Sequence, residues 1–135
     1  MTGPKTRNGE AGGDSKPLIF AVDDKPVLIG LIAAILEPLG YRVRTFSNPS
    51  TALRAFKRSS PPPVLIITDF AMHHMTGLEL IVECRRINPA QKIILVSGTV
   101  DDSIFRNAAA PPNRFLAKPY QTEELVKVVQ EVLSE

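Results

Sequence analysis

Three observations predict an α/β fold with a parallel sheet covered by helices on both faces. Short apolar runs, rich in β-branched residues, recur at Leu18–Val22, Val64–Ile67 and Ile93–Val96, the length of strands buried on both sides. Segments with apolar residues at helical spacing alternate with them. The strand–helix alternation is repeated five times without an internal sequence repeat, which implies right-handed crossovers and a doubly wound sheet.

The bounds from composition agree. A chain of 135 residues, 44% hydrophobic and 22% charged, has room for one domain with a substantial core. A net charge of +2 gives no nucleic-acid footprint. The longest apolar run, Val27 to Leu36, is too short to span a bilayer, and the N-terminus lacks the apolar stretch of a secretory signal. The lone Cys84 cannot form an intramolecular disulfide, so a reducing, cytoplasmic setting is expected. Residues 1–16 (MTGPKTRNGEAGGDSK) are rich in Gly and charge and are expected to be a disordered tail, leaving residues 17–135 as the domain.

The first strand, Leu18–Val22, ends in Asp23-Asp24. A helix follows, with Asp24 as its expected cap and Pro26 in its first turn. Leu28, Leu31, Ile32, Ile35, Leu36 and Leu39 give it an inward face. Ile29, Gly30, Ala33 and Ala34 are then expected outside, an uncharged surface suited to a partner. Gly40 closes this helix, and Tyr41–Phe46 alternates as an edge strand does. Ser47-Asn48-Pro49 starts a second helix, through about Arg58, with Ala52, Leu53 and Phe56 inward. Pro61-Pro62-Pro63 is a stiff lead into the central strand. After Gly77 a third helix runs to Asn88-Pro89, with Leu78, Ile81, Cys84 and Ile87 on its apolar side and Cys84 as core filling. Lys92–Val96 is the fourth strand. Asp101-Asp102-Ser103 begins a fourth helix, through about Ala110, and Pro111-Pro112 stops it before the last strand, Asn113–Ala117. Leu125, Val128, Val129 and Val132 mark the fifth helix, about Gln121 to Leu133.

In such a sheet Asp23, Asp24, Asp69, Ser97 and Lys118 all leave the carboxyl ends of strands and meet in one crevice. Three carboxylates there repel one another unless a cation sits among them. A hard, oxygen-seeking ion such as Mg²⁺ answers that need, and a lysine and a hydroxyl on the opposite rim suit an anionic guest. These are the parts of phosphoryl transfer, with Asp69 as nucleophile.

The order DD … IITDFAMHHMTG … LVSG … FLAKP resembles the receiver domain of two-component response regulators, over residues 18–133. The resemblance implies a flavodoxin-like (βα)₅ fold with strand order 2-1-3-4-5. It implies phosphorylation of Asp69 by a phosphohistidine on a sensor histidine kinase or histidine phosphotransfer protein. By the same carry-over Asp24 is a direct Mg²⁺ ligand, Asp23 holds a metal-bound water, and the backbone carbonyl of Ala71 completes the protein's share. Ser97 and Lys118 bond the phosphoryl group, Ser97 and Phe115 form the switch, and the Lys118–Pro119 peptide is cis. No organic cofactor is implied.

Several positions depart from that pattern. His73 stands where the family usually has proline, and with His74 it belongs to a solvated loop in reach of the phosphoryl group. Ala71 and Thr99 occupy the two positions that tune dephosphorylation, and Ala71 has no side chain to orient a water, so self-dephosphorylation is expected to be slow. Ala108 to Asn113 (AAAPPN) replaces the usual approach to the fifth strand, which bears on signalling through the face of the fourth helix, fifth strand and fifth helix. With the last helix ending at Leu133, no output domain is expected, and output passes to a protein partner, by onward phosphotransfer, or into a phosphate sink. Two other classes share part of this pattern. A receiver used as a phosphorylation-independent binding module would share these motifs. A phosphatase of the haloacid dehalogenase type needs an acid two residues after its nucleophile, where this chain has Ala71.

Overall fold

The computed structural model describes residues 15–98 and 108–135. The elements run β1 (Leu18–Val22), α1 (Pro26–Leu36), a 3-10 turn (Glu37–Leu39), β2 (Arg42–Phe46), α2 (Pro49–Arg58), β3 (Leu65–Asp69), α3 (Gly77–Ile87), β4 (Ile93–Ser97), β5 (Arg114–Ala117) and α4 (Thr122–Leu133). Here α4 is the fifth helix of the sequence reading. The fourth predicted there, from Asp101, falls largely outside the described residues, as does Thr99. Most of the expected tail, residues 1–14, does so too.

The strands form one sheet in the order β2-β1-β3-β4-β5, every neighbouring pair parallel. Side chains alternate across each strand, so the sheet has two dry faces. Ile19 and Ala21 of β1, with Leu65 and Ile67 of β3, pack under Ile29 and Ile32 of α1 and Leu125, Val129 and Val132 of α4. Phe20 and Val22, with Ile66, face the other way onto Ala52 and Phe56 of α2 and Ile81 and Cys84 of α3. Burial pushes the Cys84 thiol up to about 12, as befits a core filler.

Helix starts follow local chemistry. Asn48 Oδ1 caps α2, accepting from the N–H of Ser50 at 2.7 Å. Thr76 and Glu79 form a reciprocal capping box on α3. Gly40, at φ 101°, takes the left-handed turn after the first helical segment.

Three expectations need correction. Asp24 does not cap α1; the N-cap is Lys25, with no side-chain cap, and Pro26 at the first helical position has no N–H to leave unpaired. The inward face of α1 is rotated from the one predicted. Ile29 is 5% exposed and lies in the core, whereas Leu31 and Leu39 are each 51% exposed. The segment is apolar nearly all round, so periodicity did not fix which stripe turns inward. Its outer surface is Val27, Gly30, Leu31 and Ala34. On α3, likewise, Leu80 is buried and Ile87 exposed, because the helix packs through Gly77, Leu80, Ile81 and Cys84.

The approach to β5 is held by a side chain that periodicity does not flag. Arg85 of α3 donates to the Gln91 carbonyl at 3.2 Å and the Asn113 Oδ1 at 2.9 Å, and also to the Pro111 carbonyl. Asn113 Oδ1 in turn accepts the Ile93 N–H at 2.8 Å, tying the Pro111–Asn113 segment to the start of β4.

Candidate functional site

Strand register brings the acids together. Val22 of β1 is paired with Thr68 of β3, so the next residues, Asp23 and Asp69, leave the sheet side by side. Asp69 is paired with Val96, one residue before Ser97, and Ser97 with Ala117, one before Lys118. The five strand-end residues singled out in the sequence are therefore gathered at one edge.

The acids are tightly placed. Ligand oxygens of Asp23, Asp24 and Asp69 all lie within 4.8 Å of one another. Asp23 and Asp69 are buried, as are Thr68 and Ser97. Asp23 Oδ1 accepts the Lys25 N–H at 2.9 Å, a bond that turns the chain into α1. Lys118 Nζ bridges Asp69 Oδ1 at 3.0 Å and Asp23 Oδ2 at 3.1 Å. The Lys118–Pro119 peptide is cis, as expected, and the Lys118 N–H donates to the Ser97 carbonyl at 2.9 Å.

Burial raises the pKa of Asp69 above the ordinary carboxylate value, and the charge of Asp23 adds to this, while the Lys118 hydrogen bond opposes it. Burial pulls the Lys118 ammonium down, but its bonds to Asp69 and Asp23 outweigh that and its pKa is raised. The two shifts are compatible: one cation is shared between two buried acids, so each acid receives only part of its charge.

The donor set fits a hard divalent cation. Asp24 Oδ1 is buried without a hydrogen bond; the nearest ammonium, Lys25 Nζ at 3.9 Å, is within ion-pair range only. A buried carboxylate oxygen left without a donor, beside two more acids, is what an oxygen-ligated Mg²⁺ site leaves when the ion is disregarded.

The loop after Asp69 is pinned by Gly77. A Cβ there would lie 2.5 Å from the Asp69 carbonyl oxygen and from Leu95 Cδ1, so only glycine permits this approach. The Gly77 N–H donates to the Phe70 carbonyl at 2.8 Å and closes the loop that contains Ala71. In the sequence Gly77 marks a helix start, and nothing local signals this close approach. Ala71, His73 and His74 are exposed on that loop, His74 at φ 74°. His73 Nε2 stands 3.5 Å from Asp24 Oδ2. Phe115 is half-buried and packs on the α2–α3 side of the sheet.

A feature the sequence did not announce adjoins the acids. Asp23, Asp69 and Lys118 open into a cavity of about 450 Å³ whose walls include Leu28, Leu31 and Tyr120. Burial pushes the Tyr120 hydroxyl up. The signal lay in the residues on either side of known motifs, Leu28 and Leu31 after the acidic pair and Tyr120 after Lys118-Pro119.

The comparisons with known proteins agree with this geometry. The family described as response regulator receiver domain matches residues 19–130. A two-component response regulator, ORR11, of Oryza sativa subsp. indica is 33% identical over 125 residues, covering 90% of this chain and 84% of that protein. The response regulator receiver protein CpdR of Brucella abortus is 30% identical over 119 residues, covering 87% of this chain and 97% of that one. Among solved structures, a CheY-like response regulator receiver domain protein from Methanospirillum hungatei superposes with a TM-score of 0.81 at 25% identity, over 89% of this chain and 95% of that one.

Proposed function

The chain belongs to the response regulator receiver domain family, and we propose that it accepts a phosphoryl group from a phosphohistidine onto Asp69. The observation that supports this reading best is the Asp69 carboxylate, buried at a strand end with Lys118 on one oxygen and two further acids beside it. Lys118 holds Oδ1, which leaves Oδ2 as the attacking atom. The O–P bond forms on Oδ2 as the N–P bond of the donor breaks, and the electron pair stays on the departing imidazole. Lys118 then follows the charge from the Asp69 carboxylate to a phosphoryl oxygen, and the Ser97 hydroxyl accompanies it as a donor. Asp23, Asp24, Asp69 and the Ala71 carbonyl would hold Mg²⁺, which supplies charge neutralisation for the incoming phosphoryl oxygens.

The donor in this reading is a sensor histidine kinase or a histidine phosphotransfer protein. Val27, 82% exposed, and Leu31 give α1 an uncharged outer stripe next to the acid cavity. An apolar helix of the donor would cover it while presenting its phosphohistidine to Asp69. Ala71 provides no side chain to orient a water, so the acyl phosphate should persist beyond minutes without a phosphatase. Output passes to a protein partner, with Phe115 and Ser97 as the moving parts, or onward by phosphotransfer. Among the described residues no helix is long and apolar enough to cross a membrane.

The test is chemical. Borohydride reduction of the phosphorylated chain should convert one aspartate to homoserine, and peptide mapping should find it at position 69. Homoserine elsewhere, or none from a chain that has gained phosphate, would overturn the assignment.

A further inference from the structure

The charge of the chain is unevenly distributed. Between Gly40 and Val64 stand Arg42, Arg44, Arg54, Lys57 and Arg58 with no Asp or Glu, which leaves the remainder of the chain net acidic. Strand β2 lies at the edge of the sheet, and α2 packs over its Phe46. Arg44 is paired with Phe20 and therefore projects on the α2 side. Its guanidinium lies 5.6 Å from the Phe20 ring centroid and 5.1 Å from that of Phe46, a stack that fixes its plane. Arg54 and Arg58 are one helical turn apart on α2.

These three arginines converge on one cavity of about 270 Å³ between β2 and α2, lined also by Thr51, Ser59 and the apolar Phe46 and Ala55. The cavity shares no lining residue with the one beside Asp69. Among the described residues, none of the three has a carboxylate within ion-pair distance. Charges on an edge strand also discourage strand-to-strand aggregation, and Arg42 and Arg44 would serve that end by themselves. That purpose does not require two more arginines from the helix to share a concave site with Arg44.

We propose that Arg44, Arg54 and Arg58 form a binding site for a phosphorylated small molecule, held through its phosphate or pyrophosphate group. Planar guanidinium forks match phosphate oxygens in pairs, and three of them suit the oxygens of a phosphoryl group better than a single carboxylate. The concave shape favours a compact ligand over an extended acidic peptide, which would need a longer groove. Thr51 offers an additional hydroxyl at the rim.

Calorimetric titration of the whole chain with inorganic pyrophosphate, in EDTA and low salt, tests this. Saturable binding is expected, weakened at least about tenfold by Arg54→Ala/Arg58→Ala; neither residue lines the cavity beside Asp69, which keeps the two sites distinguishable. The charge-preserving pair Arg54→Lys/Arg58→Lys should retain part of the affinity, and the melting temperatures of both pairs should match the wild type, since these positions are exposed. A nucleoside diphosphate that binds more tightly than pyrophosphate would assign the ligand's organic part to the Phe46–Ala55 floor; equal affinity would assign free phosphate. No saturable binding up to about 10 mM, equal affinity in the alanine pair, or preference for a hexaglutamate peptide would overturn the proposal.

Discussion

Lys118 Nζ lies 3.0 Å from Asp69 Oδ1, so the cation that would receive the phosphoryl oxygens is already engaged with the nucleophile before any donor arrives. The same ammonium reaches Asp23 at 3.1 Å, which makes it the one protein cation bonded to both buried acids among the described residues.

Removing that cation should expose the repulsion it masks. We expect Lys118→Ala to lose about 2 kcal/mol of stability in EDTA, less than a fully buried ion pair would, because the lysine is partly exposed. Mg²⁺ at roughly ten times its Kd should return about 1.4 kcal/mol. Chemical denaturation with and without Mg²⁺ measures both. A Lys118→Ala chain as stable as the wild type in EDTA would contradict the shared-cation picture.

The raised pKa of Asp69 has a definite sign. A folded-state value above the unfolded one adds stability only while the group is protonated, and that stability is lost as pH rises through the folded value. At neutral pH without metal, ionised Asp69 therefore weighs against folding. Asp69→Asn should melt a few degrees higher than wild type at pH 7, with the gain shrinking as pH falls toward the ordinary carboxylate range. Thermal melts across that window are the check, and a gain that grows toward acid would refute it.

Two neighbours on α1 should behave oppositely. Ile29 is buried, so Ile29→Glu should destabilise the fold by about 3 kcal/mol, through an unpaired charge in the core. Leu31→Glu should leave stability within about 0.5 kcal/mol but slow phosphotransfer from a protein donor while sparing acetyl phosphate. Equal slowing with both donors would rule out docking at this stripe.

Gly77→Ala places a methyl group against the Asp69 carbonyl and Leu95. Overpacking of that kind should cost about 1–3 kcal/mol and shift the loop that contains Ala71, weakening Mg²⁺ binding as well. Equilibrium unfolding and Mg²⁺ titration read the two effects separately. Unchanged Mg²⁺ affinity would show that the loop is positioned by other contacts.

Much of this arrangement was legible in the sequence because strand ends are marked by chemistry. Apolar runs that stop at Asp23, Asp69, Ser97 and Lys118 identify both the sheet and the edge where they meet, and the observed register brings them there. The helices were harder to orient. In α1 the residues from Val27 to Leu36 are all apolar or glycine, and only packing against β1 and α4 selected Ile29, Ile32 and Leu36 for the interior. Pairings between distant residues were not legible either. The bond from Arg85 to Asn113 and the convergence of Arg44 with Arg54 and Arg58 depend on tertiary distances that no local spacing encodes.

The most direct test of the central claim is the intact mass of the chain after incubation with acetyl phosphate and Mg²⁺, beside Asp69→Asn and an EDTA control. The account predicts one added phosphoryl group, absent from the variant and from the control. An adduct that forms without Mg²⁺ or persists in Asp69→Asn would contradict it.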